Sequence, residues 1–274
     1  MAKINTLSVA LKDKINSSYI PRSFDVIGDI AVIEVPRHLK AKEKLIGNTL
    51  LGLHKHIKVV CKKLGGHKGK LRIQKYAVIA GEKRKETLYK ESNCSFKLNI
   101  EKTYFSVRLA NERKRIALLV HPDESILVMF SGIAPYPIVL SKNTKAKKIL
   151  GIELNKLAHK YALENLSLNK TKNISLLQGD VKRLVPMLKV KFDRILMPLP
   201  KGAIDYLDIA LKKIQKGGTI HFYDFLHEDE FHKAEEKILS ACKSAKKKCK
   251  ILSINKCGQQ GPRIYRICVD FKVN

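Results

Sequence analysis

Four places in the second half of this sequence combine residue types and spacing that can do chemistry. The turn Phe130-Ser131-Gly132-Ile133-Ala134-Pro135 follows an apolar run, and its glycine would let a bound molecule approach the backbone. Glu153 ends the stretch "KKILGIELN", where a carboxylate can accept hydrogen bonds from a ribose diol. Asp180 ends "ISLLQGD", placed to meet an adenine amino group or the next N–H donor. Pro198-Leu199-Pro200 stops the apolar "RILM". Two prolines there lack N–H groups and fix their own φ, which makes a stiff, donor-poor loop. A fifth cluster lies earlier, in "RLANERKRI": Glu112 stands among Arg108, Arg113 and Arg115, which favours its ionised form. Each feature alone has a plainer use. A strand-terminal acid can cap the next helix, many strand-to-helix turns contain glycine, and Glu112 can simply pair with an arginine.

The elements that must position these residues alternate. "SILVMF", "KKILGIELN", "ISLLQGD", "FDRILM" and "TIHFYDF" read as strands, with helices over "KLAHKYALENLSLN" and "AIDYLDIALKKIQKGG", the latter stopped by its Gly-Gly pair. Such alternation implies an α/β fold with a doubly wound, mostly parallel sheet. Ligands of such sheets bind beyond the carboxyl ends of the strands, where all four features fall. Turn, acid, acid and proline loop on successive strands is the layout of an S-adenosylmethionine-binding methyltransferase sheet.

The first hundred residues differ. A basic lead-in, residues 1–19, precedes "SFDVIGDIAVIEVP", which reads as two strands about a Gly28-Asp29 turn. A helical pattern over Leu39–Ile57, a glycine- and lysine-rich loop from Gly65, and a hairpin over Thr87–Ile100 complete a smaller α+β domain, mainly antiparallel. The expected division is a tail 1–19, a basic α+β domain 20–102 and a Rossmann-like domain 103–274.

Charge is the outlier in the composition. The 274 residues carry 54 Lys+Arg against 25 Asp+Glu, a net charge of +29. That balance suits a polyanionic partner such as nucleic acid. Hydrophobic residues make up 45%, enough for a core. The six cysteines form no CxxC pair, so no zinc site is expected and they read as reduced thiols. No run reaches the length of a membrane span and no signal-peptide core opens the chain; the expectation is a cytoplasmic, monomeric protein without metal.

The motifs "SFDVIGDIAVIEVP", "LRIQKYAVIAGE", "YFSVRLANERKRI", "MFSGIAPYPI", "GIELNKLAHKYALENLSLNK", "GDV", "DRILMPLPKGA" and "GGTIHFYDF", taken together, resemble the archaeal and eukaryotic tRNA (guanine-37 N1)-methyltransferases and their wyosine-pathway relatives. The resemblance spans roughly residues 20–274. It implies a class I, S-adenosylmethionine-dependent enzyme acting on the tRNA anticodon loop. By position it makes Glu112 the general base and Arg72 the stabiliser of guanine O6, with Arg108 on the substrate. Arg113, Phe130, Gly132, Pro135, Glu153, Leu154, Asp180, Val181 and Pro198 would border the cofactor, and Pro198 and Pro200 the base. These roles match the chemistry. Guanine N1 carries a proton at neutral pH, a carboxylate can remove it, and an arginine can stabilise the charge that develops on O6.

Three departures from the family pattern stand out. The family usually carries a further N-terminal domain that inspects tRNA shape, and here a short stretch precedes "SFDVIGD". The strand "ILVMF" lacks an acid near its end, and Ala134 replaces a glycine. Pro198 replaces the asparagine of an Asn-Leu-Pro motif, leaving an apolar wall with room for a tricyclic base. An aminocarboxypropyl transferase and a non-catalytic tRNA-binding relative are the alternatives.

Overall fold

Parallel strand register brings the four strand-end features to one sheet edge. The computed structural model describes residues 7–16, 19–21 and 23–274. Its contacts divide the chain into two units, Met1–Lys90 with Ser95–Val107, and Glu91–Cys94 with Arg108–Asn274.

The second unit is built on β7 (Ser125–Met129), β8 (Lys148–Glu153), β9 (Ile174–Gln178), β10 (Phe192–Met197), β11 (Ile214–His227), β12 (Cys249–Gly261) and β13 (Ile264–Val273), in the sheet order β12-β13-β11-β10-β7-β8-β9. Neighbours from β9 to β11 pair in parallel, while β13 runs antiparallel to both β11 and β12. Helices α3 (Ala110–Leu118), α4 (Pro135–Asn143), α5 (Lys156–Asn169), α6 (Val181–Met187), α7 (Leu207–Lys213) and α8 (His232–Ser244) accompany it. The fold is the expected α/β, Rossmann-like sheet. One apolar cluster joins Leu127, Ile152, Ile195, Ile220 and Val269 to α7 and α8; another joins Ile116, Val128, Tyr136 and Tyr223. The Gly-Gly stop expected for α7 is displaced. Ile214 is fully buried as the first residue of β11. The helix therefore ends at Lys213, and Gly217-Gly218 fall in an irregular stretch between Ile214 and Thr219, the residues that pair with Phe192 and Arg194.

The first unit holds α1 (Leu7–Leu11), β1 (Phe24–Ile27), β2 (Ile30–Ile33), α2 (Glu43–Leu53), β3 (Val59–Lys63) and β4 (Tyr76–Gly81), the strands forming one sheet in that order. The expected antiparallel character is interrupted: β2 and β3 are parallel, because α2 carries the chain back across the sheet between them. Gly28 has φ +61°, and a Cβ there would lie 2.2 Å from Thr87 Oγ1, so the β1–β2 turn requires glycine. The hairpin of β5 (Glu86–Glu91) and β6 (Cys94–Asn99) forms as expected. The lead-in is corrected in part. Leu7, Leu11 and Ile15 are buried in the core of this unit with Ala31, Ile46 and Val60; Leu7 and Leu11, four apart, share one face of α1, and residues 1–6 and 17–18 lie outside the described residues. No helix among the described residues is long and apolar enough to cross a membrane.

Leu11→Ala is expected to destabilise this unit by about 2–5 kcal/mol, the range for a buried leucine. Urea unfolding checks it; a solvated tail would leave the midpoint unchanged.

Candidate active site

The register sets the site. Met129 pairs with Ile152, Glu153 with Gln178 and Leu196 with Val128. The turn at Phe130, the Glu153 carboxylate, Asp180 and Pro198 therefore emerge along one edge of the sheet. Met197 pairs with Phe222, which sets Tyr223 level with Pro198.

The turn after β7 is held from the next strand. Ser131 donates its N–H to the Ile152 carbonyl at 2.8 Å. Gly132 donates its N–H to Glu153 Oε2 at 2.7 Å, and Asn155 donates its own to Oε1 at 2.7 Å. Glu153 thus clamps both strand-end turns, while Asn155 caps α5 by accepting from Leu157 and Ala158. Burial raises the Glu153 carboxyl above its ordinary range, against the backbone N–H bonds from Asn155 and Gly132. Phe130, Gly132 and Ala134 all have left-handed φ, at 59°, 58° and 67°. For Ala134 this conformation is strained. Ser131 is buried, and its Oγ has no hydrogen-bond partner. Gly151 makes room beneath it: a Cβ there would lie 3.1 Å from Ser131 Oγ.

Asp180 caps α6, accepting the Lys182 N–H at 2.8 Å, so the plainer use is realised. Val181 behind it is buried, and Leu154 is exposed. Phe130 packs edge-on against Tyr206 at 4.8 Å, and Lys182 Nζ lies 4.8 Å from the Tyr206 ring. Burial, with the charges of Asp180 and Asp205, pushes the Tyr206 phenol up. Pro198 is half-buried and Pro200 buried. Between them Leu199 donates its N–H back to the Met197 carbonyl at 2.7 Å, which withdraws that donor too from the loop's reach. Pro135 opens α4 as its first residue.

Glu112 is buried in the first turn of α3. Arg115 grips it side-on, Nε to Oε2 at 2.7 Å and Nη2 to Oε1 at 2.8 Å. The Tyr223 hydroxyl donates to Oε1 at 2.8 Å and lies 2.9 Å from the Tyr136 hydroxyl. Burial drives both phenols well above their ordinary range. The Tyr223 contact brings Glu112 to the same sheet edge as Pro198. Arg113 is buried against Glu91, Nη2 to Oε2 at 2.7 Å, with its guanidinium 5.9 Å from the Tyr136 ring. Arg108 is exposed just before α3. Arg72 belongs to the first unit, where its guanidinium stacks 4.3 Å over Tyr104.

Sequence reasoning did not find Asp270. It receives His221 Nδ1 at 2.6 Å, Arg115 Nη1 at 2.6 Å and Nη2 at 3.2 Å, Cys268 Sγ at 3.2 Å, Ser253 Oγ at 3.0 Å and Asn255 Nδ2 at 3.3 Å. Burial opposes its charge, but the bonds from His221 and Arg115 hold the carboxyl well below the usual range. His221 Nε2 faces Arg194 Nη1 at 2.7 Å, and Arg194 pairs with Glu124, Nε to Oε2 at 2.6 Å. An arginine can only donate, so His221 is neutral with its proton on Nδ1; burial lowers its basicity. The donor atoms of His221, Cys268 and Asp270 lie within 4.8 Å of one another, a possible metal-ligand set. They are already committed to hydrogen bonds, and two guanidiniums border them. The signal was present: Arg194, His221 and Asp270 interrupt the apolar runs "FDRILM", "TIHFYDF" and "ICVDF", and buried charges must find partners.

A model of the TRM5/TYW2 methyltransferase domain matches residues 87–252, and one of the TYW2 N-terminal domain matches residues 7–84. This chain belongs to the TRM5/TYW2 methyltransferase family. The tRNA (guanine(37)-N(1))-methyltransferase Trm5b of Pyrococcus abyssi is 37% identical, over 93% of this chain and 76% of that protein. The tRNA 4-demethylwyosine(37)-methyltransferase Taw21 of Saccharolobus solfataricus is 34% identical, over 92% of this chain and 94% of its own length. The tRNA (guanine(37)-N(1))/4-demethylwyosine(37)-methyltransferase Taw22 of Nanoarchaeum equitans is 33% identical, over 90% and 98%. The crystal structure of P. abyssi Trm5b superposes with a TM-score of 0.86 at 36% identity, over 94% of this chain and 76% of that one. A complex of aTrm5 with tRNALeu gives 0.85 at 30% identity, over 100% and 80%.

Asp270 makes stability pH-dependent in a defined direction. Its folded-state pKa is depressed, so its contribution is full above the ordinary carboxylate range and drains as pH falls from about 4 towards the depressed folded value. Asp270→Asn is expected to cost about 3 kcal/mol at neutral pH, with the gap to wild type closing below about pH 4 in urea titrations.

Proposed function

We propose that this protein is an S-adenosylmethionine-dependent tRNA methyltransferase that forms N1-methylguanosine at position 37 and also methylates a carbon of the tricyclic 4-demethylwyosine at that position. The observation that carries the reading is the gathering of the turn at Phe130, Glu153, Pro198 and Glu112 along one sheet edge in a chain 37% identical to a guanine-37 enzyme. The near-complete coverage of Taw21 and Taw22, with proline at 198, favours the second substrate.

The residues present fit the cofactor. Ser131 offers a buried hydroxyl without a partner, and the left-handed turn leaves the backbone of Gly132 approachable. Phe130, Gly132, Pro135, Glu153, Leu154, Asp180, Val181 and Pro198, with Arg113 behind them, would hold it. When bound, S-adenosylmethionine supplies an activated methyl group. The rest belongs to the chain. Glu112 takes the N1 proton of guanine and leaves a lone pair on nitrogen. Arg72 meets the charge that moves to O6, while Arg108 contacts the substrate. Pro198 and Pro200 wall the flipped base without competing donors. The net charge of +29 serves the phosphate backbone. The protein works as a cytoplasmic monomer and needs no metal.

Nucleoside mass spectrometry tests the reading, using purified protein, S-adenosylmethionine and two tRNAs. One carries guanosine at position 37, the other the tricyclic precursor. Methyl on both is expected; methyl on neither, with tRNA bound, overturns the assignment. Glu112→Gln is expected to lower single-turnover methylation of guanosine at least about 100-fold, while tRNA affinity by filter binding stays within about twofold. Pro198→Asn is expected to shift the product ratio toward methylguanosine; an unchanged ratio in competition between the two tRNAs removes the loop from the specificity argument.

A further inference from the structure

Glu112 has one open acceptor position. A carboxylate oxygen offers two lone pairs. Oε1 uses both, on Arg115 Nη2 and the Tyr223 hydroxyl, and Oε2 uses one, on Arg115 Nε. The Tyr223 hydroxyl has a single hydrogen and spends it on Glu112. The bond between the two phenols must therefore run from Tyr136 to Tyr223. The tyrosine pair is thus oriented, and Oε2 alone is left to receive a proton.

Arg115 does not serve Glu112 alone. Its Nη1 donates to Asp270 Oδ2 at 2.6 Å, and its Nη2 also reaches Oδ1 at 3.2 Å. Burial opposes the charge on Arg115, but its bonds to Glu112 and Asp270 outweigh that and hold the guanidinium protonated. One cation is therefore divided between two buried carboxylates. A guanidinium given wholly to Glu112 would stabilise the anion and make it a poor base. Sharing with Asp270 splits the donors of Arg115 between the two carboxylates. The other groups facing Glu112 are neutral: Tyr136 from α4, Tyr223 from β11 and the Cys268 thiol from β13, which burial keeps protonated. Arg113, the next residue along α3, is committed to Glu91.

We propose that Arg115, Asp270 and Tyr223 are positioning residues for Glu112, presenting Oε2 as the single oxygen open to the substrate proton and grading how readily it takes it. The proposal rests on the reading of Glu112 as the base.

Two volume-conserving substitutions act in opposite senses, measured on the full chain with S-adenosylmethionine and guanosine-37 tRNA as single-turnover kcat/KM against pH. A base must be deprotonated to act, so activity falls on the acid side through its pKa. Tyr223→Phe takes a donor from Oε1, and the acid limb is expected to move up by about one pH unit. Asp270→Asn hands Arg115 to Glu112, and the limb is expected to move down by about one pH unit, with a slower plateau. A purely structural role would lower the unfolding midpoint and leave both limbs in place. Limbs that stay put, or move in the same direction, overturn the proposal. Should Asp270→Asn not fold, Tyr223→Phe decides alone: an unmoved limb overturns it. Glu112→Gln at wild-type rate overturns the underlying base assignment instead, so the two failures are distinguishable.

Discussion

A single buried anion organises the centre of the second unit. Asp270 sits on the strand that joins the parallel part of the sheet to its antiparallel edge. An isolated charge there would be expensive to bury. The structure meets that cost with donors from four elements: Arg115 from α3, His221 from β11, Ser253 and Asn255 from β12, and Cys268 from its own strand. Because each donor is needed, each element is held in place. The requirement extends further. His221 must present its bare nitrogen to Arg194, and Arg194 reaches Glu124 and the Leu119 carbonyl. One line of hydrogen bonds, from anion through neutral imidazole to cation and anion, thus ties β10 to β13 and both to the chain after α3. Glu112 inherits its position from this line through Arg115.

The opposite half of the edge uses backbone in place of side-chain charge. There Glu153 collects N–H groups from two turns, and the left-handed residues of the Phe130–Pro135 turn carry the chain sharply from β7 into α4. The two halves meet because parallel pairing advances neighbouring strands in step. Polar demand fixes one side and main-chain geometry the other.

The candidate edge is legible in the sequence because its markers are local. A glycine turn, two acids and two prolines interrupt apolar runs where strands must end, and no tertiary information is needed to notice them. The sharing of Arg115 was not readable, because Arg115 and Asp270 are 155 positions apart and nothing local in "ICVDF" names a partner. The end of α7 was misplaced because a Gly-Gly pair is a strong local stop, while the burial of Ile214 that ends the helix is a tertiary effect. Leu7, Leu11 and Ile15 fall in the basic lead-in, where the lysines are the conspicuous feature; their burial is a tertiary effect. Glu153 and Asp180 shared one sequence description but divide in the structure, one clamping turns and the other capping a helix.

In the proposed reaction, Pro198 has a consequence for fidelity. Shape alone separates ligands differing by a methylene by only about 10–200-fold, whereas a dedicated hydrogen bond can reach about 10⁴–10⁵. A wall of two prolines whose intervening N–H is turned back on Met197 can sort only by shape. In the proposed reaction, accuracy then passes from the pocket to the delivery of the base: the nucleotide is chosen by where the folded RNA presents it. Such an arrangement lets a base be processed, changed elsewhere and returned to the same site without being refused as foreign.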